Sequence, residues 1–372
     1  MPSVFSDARR YRLAFVTPAY FSEDGVIGGG ERYVHNMAAS LARESAQRYT
    51  VDIISFGEYD HTLPLASGVT LHILARDYSD SSPFNSVAWL LAHRLRTVDL
   101  VHIHQPFTRS GELGILLASY FQKPLIVTDH GGHFSTGALS LRLLDLADCV
   151  LTYSDYARSL VLSTSDIVTI KGGVDAEFFI PAPDARDRTH ALFVGRLLPH
   201  KGVDRLLLAL PRDLPLVICG QPYDERYFHL LRALASEKRV EFVTNADDRE
   251  LRELYRSAFV TVLPSVYTDW YGNTVIHPEL MGLTVLESMS CATPVLVSDV
   301  GALPEFVRHG QTGFVYKDLD DLRLGLNRFR EDAALVSQMG LAARADVDAN
   351  LSAAIAARRL IEVYTDTIAR RQ

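Results

Sequence analysis

What most constrains the fold of this chain is a repeated alternation. Short apolar runs rich in Val, Ile and Leu recur from end to end, and segments of helical period separate them. In the first half the runs fall at 12–17, 50–56, 69–74, 99–103, 124–128 and 149–153. Most lack strict apolar–polar alternation, the mark of parallel strands buried on both faces. Helical patterns fall near 30–44, 84–96, 111–121 and 140–147. Strand–helix–strand succession of this kind builds a doubly wound α/β sheet.

The alternation lapses once, at Pro181-Ala182-Pro183-Asp184 and the polar Ala185-Arg186-Asp187-Arg188-Thr189. It restarts with strands expected near 190–195, 215–219, 239–243, 258–263, 294–298 and 313–316. Helices are expected near 202–210, 225–236, 248–256, 284–291, 303–308 and 320–340. A chain of 372 residues has room for two domains. We therefore expect a Rossmann-like domain over 1–180, a linker at 181–189 and a second Rossmann-like domain over 190–350, the two facing across a cleft. The final segment, 351–372, reads as a helix that packs back on the first domain. Open α/β sheets bind ligands at the carboxyl ends of their strands, so the chemistry belongs just after strands.

Charge excludes one class of partner. There are 14 Lys and Arg against 19 Asp and Glu over residues 1–180, and 23 against 26 over the rest. Neither half is basic, so no nucleic-acid partner is expected. No run reaches the ~18 apolar residues of a membrane span, which leaves only peripheral membrane contact through a local patch. No signal peptide is evident, and Cys149, Cys219 and Cys291 lie far apart in apolar stretches. They read as reduced core residues, and the expected location is the cytoplasm.

Three motifs suit a phosphorylated sugar donor. Gly28-Gly29-Gly30-Glu31 opens a helix, where glycines admit a ligand to the backbone and the helix N-terminus favours phosphate. It matches neither a P-loop nor G-x-G-x-x-G. Arg196 and Lys201 sit on a turn, Gly195 to Gly202, just after a strand. Arg grips two phosphate oxygens at once and Lys adds a point charge. Glu279 and Glu287 then frame Gly282-Leu283-Thr284. One carboxylate suits sugar hydroxyls and the other ribose, with the Leu283 and Thr284 amides toward phosphate. A second reading of Glu287 stands beside this one: with Thr284 it fits a capping box that closes the helix N-terminus.

Other signals compete. His102-x-His104 ends a strand and Asp129-His130-Gly131-Gly132-His133 follows another, which raises a metal-dependent hydrolase. No acidic ligand cluster accompanies them, so the expected metal is none. Asp318-x-Asp320 reads as a helix cap.

Taken together, these motifs resemble glycosyltransferase family 4, of GT-B fold, over nearly the whole chain. The resemblance also rests on Thr128-Asp129-His130-Gly131, Gly173-Val174-Asp175, Leu263-Pro264-Ser265, Leu286-Glu287-Ser288-Met289, Thr293-Pro294-Val295, Pro304-Glu305 and Gly310-Gln311-Thr312-Gly313. It implies retaining transfer of a hexose, glucose- or mannose-type, from a nucleotide-diphosphate sugar to a hydroxyl of a glycan, lipid-linked or small-molecule acceptor. No cofactor beyond that co-substrate is implied. By resemblance, Arg196 and Lys201 hold the diphosphate, Glu287 the ribose and Glu279 the sugar. His130 is the active-site histidine, and an amide of Gly29 or Gly30 meets the phosphate. This chain departs from the family at Gly172, where Asn is common, at Thr244, where Gly is usual, and in a long loop carrying Tyr267, Trp270 and Tyr271. A nucleotide-sugar epimerase and a non-catalytic nucleotide-sugar binder are the other readings.

Overall fold

The computed structural model describes residues 9–21, 28–46, 48–80, 82–131, 135–183 and 188–371. The chain divides into two compact units, one of residues 1–173 with 353–372, the other of residues 174–352.

The described residues of the first unit form ten strands: β1 (Tyr11–Val16), β2 (Tyr49–Gly57), β3 (His61–Ala66), β4 (Val69–Ala75), β5 (Tyr78–Ser79), β6 (Ser86–Val87), β7 (Leu100–His104), β8 (Leu125–Thr128), β9 (Cys149–Thr152) and β10 (Asp166–Thr169). Eight form one sheet in the order β10-β9-β8-β7-β1-β2-β4-β3, and β5 pairs with β6 in a separate ribbon. All pairings in the large sheet are parallel except β3 with β4. Strands β7, β8 and β9 are buried at every residue, as apolar runs between two helical layers must be. The antiparallel β3 is largely exposed and carries Pro64, tolerable only on an edge.

The second unit holds a wholly parallel sheet of β11 (His190–Val194), β12 (Leu216–Cys219), β13 (Val240–Val243), β14 (Ala258–Leu263), β15 (Val295–Ser298) and β16 (Gly313–Tyr316), ordered β13-β12-β11-β14-β15-β16. In each sheet the strand order reverses once, between β1 and β7 and between β11 and β14. Ligands of open α/β sheets bind at such switch points. The glycine-rich segment follows β1, the Arg196–Lys201 turn follows β11, and Ser265 follows β14.

The described boundary falls at Gly173, and residues just beyond it pack within the second unit. Arg344 donates to the carbonyls of Ala176 and Phe179, and Arg188 to those of Ala258 and Ala292. Of the linker read at 181–189, residues 184–187 lie outside the described residues. The helix Ala353–Arg371 belongs to the first unit, where Tyr364 bonds His102 at 2.6 Å and Thr365 bonds Tyr49 at 2.9 Å.

Three helical expectations need correction. The pattern at 140–147 is a short helix, Gly137–Ser140, and a 3-10 turn, Leu143–Leu146, parted by Arg142 at φ +50°. The pattern at 320–340 is two helices, Leu319–Glu331 and Ala333–Asp346. Asp332 leaves helical geometry between them and its carboxylate caps the second by accepting from the Leu335 amide. The pattern at 84–96 is a 3-10 turn, Pro83–Asn85, and an α-helix, Leu90–Arg96, parted where Ser86–Val87 pairs with Tyr78–Ser79.

Candidate functional site

In the second unit the turn after β11 tightens into one helical turn, Pro199–Lys201, and ends at Gly202 with φ +66°. A Cβ on Gly202 would lie 2.0 Å from the Pro264 carbonyl oxygen, so only glycine lets this turn meet the end of β14. The same close fit brings Lys201 to Glu279. Its Nζ lies 2.5 Å from Glu279 Oε1, and the Ser265 hydroxyl donates to that oxygen at 2.8 Å. Burial alone would raise the Glu279 pKa, but the Lys201 ammonium and the two hydrogen bonds outweigh it and hold the carboxyl below its usual range. Arg196 is exposed and has no ion-pair partner among the described residues. It is a guanidinium open to solvent on the turn that also carries Lys201.

Gly282, with φ +83°, is the N-cap of the helix Leu283–Ser290. Leu283 and Thr284 therefore supply first-turn amides, which a helix leaves without intrahelical acceptors. This overturns the capping-box reading of Glu287. Thr284 stands inside the helix, not at its cap, and Glu287 is a full turn in, 2% exposed. Its Oε2 accepts from the Tyr255 hydroxyl at 2.8 Å. Burial, then Glu287 itself, holds the Tyr255 phenol far above its ordinary pKa, so it stays a donor. Asp318 is the cap it was read as, accepting from the amides of Asp320 and Asp321.

In the first unit the helix Gly29–Glu44 opens behind Gly28. A Cβ on Gly30 would come within 3.4 Å of the Cβ of His130, so the glycine backbone and this histidine are neighbours. His130 Nε2 lies 2.9 Å from His104 Nδ1, and His130 Nδ1 meets the Tyr153 hydroxyl. Tyr33 packs edge-on against both His130 and Tyr153. Burial drives the His130 pKa down to about 4, with Asp129 opposing, so the ring is neutral at physiological pH. His102 engages Tyr364 at Nδ1 and Thr128 at Nε2, at 2.6 and 2.7 Å. Of the segment that carries His130, Gly132 and His133 lie outside the described residues.

The predicted residues thus gather as Gly29, Gly30 and His130 in one unit, and as Arg196, Lys201, Glu279, Gly282, Leu283, Thr284 and Glu287 in the other. Comparison with known proteins fits this division. The model for glycosyltransferase family 4 matches residues 27–178, and that for group 1 glycosyl transferases matches residues 176–346. The chain belongs to glycosyltransferase family 4.

This glycosyltransferase is 27% identical over 404 residues to a D-inositol 3-phosphate glycosyltransferase of Corynebacterium diphtheriae, covering 92% of this chain and 90% of the relative. A sucrose-phosphate synthase from Thermosynechococcus elongatus superposes with a TM-score of 0.77 at 22% identity, over 97% of this chain and 100% of that one. Anabaena HepE, solved in complex with UDP-glucose, gives 0.72 at 16% identity, over 96% and 100%. The fold of this glycosyltransferase is GT-B. No described helix is long and apolar enough to cross a membrane.

Three side chains that bond the predicted residues have no motif of their own in the sequence of this glycosyltransferase. Tyr153 and Tyr255 fall only within a strand pattern, 149–153, and a helix pattern, 248–256, and Ser265 only within a motif. Ser265 and Tyr153 each stand just past a strand end, the signal that would have found them. Tyr255 lies inside a helix and carried none.

Proposed function

We propose that this enzyme moves a hexose, glucose- or mannose-type, from a nucleotide-diphosphate sugar to an acceptor hydroxyl with retention at the anomeric carbon and without a metal. The observation that carries the reading is the Lys201–Glu279 pair, tied by Ser265 and followed three residues later by a helix N-terminus at Gly282. A cation, a buried carboxylate and outward amides are what a sugar diphosphate needs: charge for phosphate, an acceptor for sugar hydroxyls, dipoles for the leaving group. HepE, of the same fold, was solved with UDP-glucose, which supports a donor of this class.

Arg196 and Lys201 take the diphosphate, Glu279 the sugar and Glu287 the ribose. In the first unit an amide of Gly29 or Gly30 serves the phosphate and neutral His130 serves the donor sugar. The bond from the anomeric carbon to the phosphate oxygen breaks. The bond to the acceptor oxygen forms on the same face, and the acceptor proton passes to the departing phosphate. Preorganised donors at that phosphate each contribute roughly 3–4 kcal/mol to the barrier reduction. The acceptor is a glycan, a lipid-linked sugar or a small molecule.

The stereochemistry is testable without knowing the acceptor. With an α-linked donor and water alone, slow hydrolysis should release the α-anomer first, read by early proton NMR. Initial release of the β-anomer would exclude retention.

A further inference from the structure

The strand β7 ends at His104, and the next residue, Gln105, has φ +77°. This left-handed basin suits glycine and asparagine, and an unbranched longer side chain there is strained. The surroundings hold the strain in place from both sides. The Gln105 amide donates to the Thr128 carbonyl at 2.8 Å, and its carbonyl accepts from the Thr108 hydroxyl at 3.0 Å. Gly111 packs on that carbonyl so closely that a Cβ would sit 2.2 Å from the oxygen.

A strained residue pinned this firmly marks a local requirement for its side chain. The carboxamide of Gln105, 6% exposed, reaches the loop after β8 and bonds it twice. Its Oε1 accepts from the His130 amide at 2.9 Å, and its Nε2 donates to the Gly131 carbonyl. A glycine at 105 would relieve the backbone but make neither bond. We infer that Gln105 is a positioning residue: its carboxamide fixes the His130–Gly131 main chain, so that His104 and Tyr153 meet the His130 ring in one orientation.

The far end of the same loop is anchored independently. Ser135 donates from its amide to the Phe107 carbonyl and from its hydroxyl to Glu112, 2.6 Å away. Glu112 also accepts from the Ala138 amide. Gln105 therefore controls the end that carries the imidazole, while Glu112 controls the end that does not. Loss of Gln105 frees His130 while Ser135 stays held.

This inference rests on the reading of His130 as the histidine that serves the donor sugar. The experiment is a double-mutant cycle on the full-length enzyme with Gln105→Gly and His130→Ala, measuring kcat, donor KM and melting temperature. For Gln105→Gly we expect kcat to fall about tenfold to a hundredfold, the scale of a misplaced catalytic group, with donor KM within about twofold. Melting should stay close to wild type, because the relieved strain offsets the lost bonds. In the His130→Ala background, Gln105→Gly should cost no further activity. Gln105→Glu keeps the acceptor for the His130 amide but loses the donor to Gly131, and should fall between the two; it replaces Gln105→Gly in the cycle should the latter fail to fold. Wild-type kcat in Gln105→Gly, or an equal loss with and without His130, would overturn the positioning role while leaving His130 its part. Wild-type turnover in His130→Ala would overturn both.

Discussion

Lys201 and Glu279, 78 positions apart, form an ion pair of 2.5 Å whose partners are 18% and 8% exposed at the side chain. Removing one partner leaves a buried charge with too little to hold it, and this penalty generally exceeds what the pair contributes. Lys201→Ala should therefore destabilise the ligand-free protein by about 3 kcal/mol at neutral pH. The wild-type Glu279 pKa is depressed, so its stabilisation is present above the unfolded value and lost as pH falls through the folded one. Without Lys201, burial dominates and acid protonates the carboxyl, so the deficit should shrink. Denaturant unfolding of both proteins at pH 7 and pH 4 reads this. A deficit unchanged by acid would show that Glu279 does not depend on Lys201.

The two glutamates should fail differently. Gln at 287 still accepts from Tyr255, so Glu287→Gln should melt near wild type. Its affinity for the nucleoside diphosphate should nevertheless fall about tenfold or more, as expected for a lost charged acceptor. Glu279→Gln should keep affinity for the bare nucleotide while turnover drops. Isothermal titration of both variants with the nucleoside diphosphate and with the full donor separates them. Wild-type nucleotide binding by Glu287→Gln would remove the ribose assignment.

Much of this arrangement was legible, and the misses share a cause. Strands β11 to β16 were readable because most are short apolar runs of a fully parallel sheet, and β13 keeps Val, Phe and Val around one exposed Glu241. Edge strands β3 and β10 are partly exposed and carry polar residues or proline, so their pattern is weak. The Arg196–Lys201 turn and the Glu279/Glu287 frame stood out by local spacing. What spacing could not give was the partner of each side chain. Thr284 and Glu287 have capping-box spacing, yet Gly282 supplies the cap by its left-handed backbone, and Glu287 turns to Tyr255, 32 positions away. Gln105 was silent because its role lies in a backbone angle and a loop 25 residues on.

Acid should weaken the first unit through its histidines. Burial lowers the pKa of His102 and His104 well below 6.5 and that of His130 to about 4. The folded state keeps them neutral while the unfolded chain takes up protons. Their contribution is complete above about pH 6.5 and is lost as pH falls toward 4. Urea midpoints should drop across that window, and less so in His102→Gln. Turnover limited by His130 should keep its acid limb near pH 4. An acid limb at pH 6.5 would show that the working imidazole is not the buried one.

Transfer should persist in excess EDTA. The histidines that suggested a metal are engaged otherwise: His102 with Tyr364 and Thr128, His104 with His130. Activity lost to chelation and restored by zinc would contradict the metal-independent reading.

The central claim is that Arg196, exposed on the turn that carries Lys201, grips a nucleotide-sugar diphosphate. A thermal-shift screen of UDP-, GDP-, ADP- and dTDP-sugars on the wild type and on Arg196→Ala tests it most directly. At a hundred times its Kd the correct donor should stabilise the wild type by about 2.7 kcal/mol. Arg196→Ala should melt like wild type without ligand, yet need about tenfold more donor for the same shift. No stabilisation by any of the four donor classes, or an equal response from Arg196→Ala, would contradict the account.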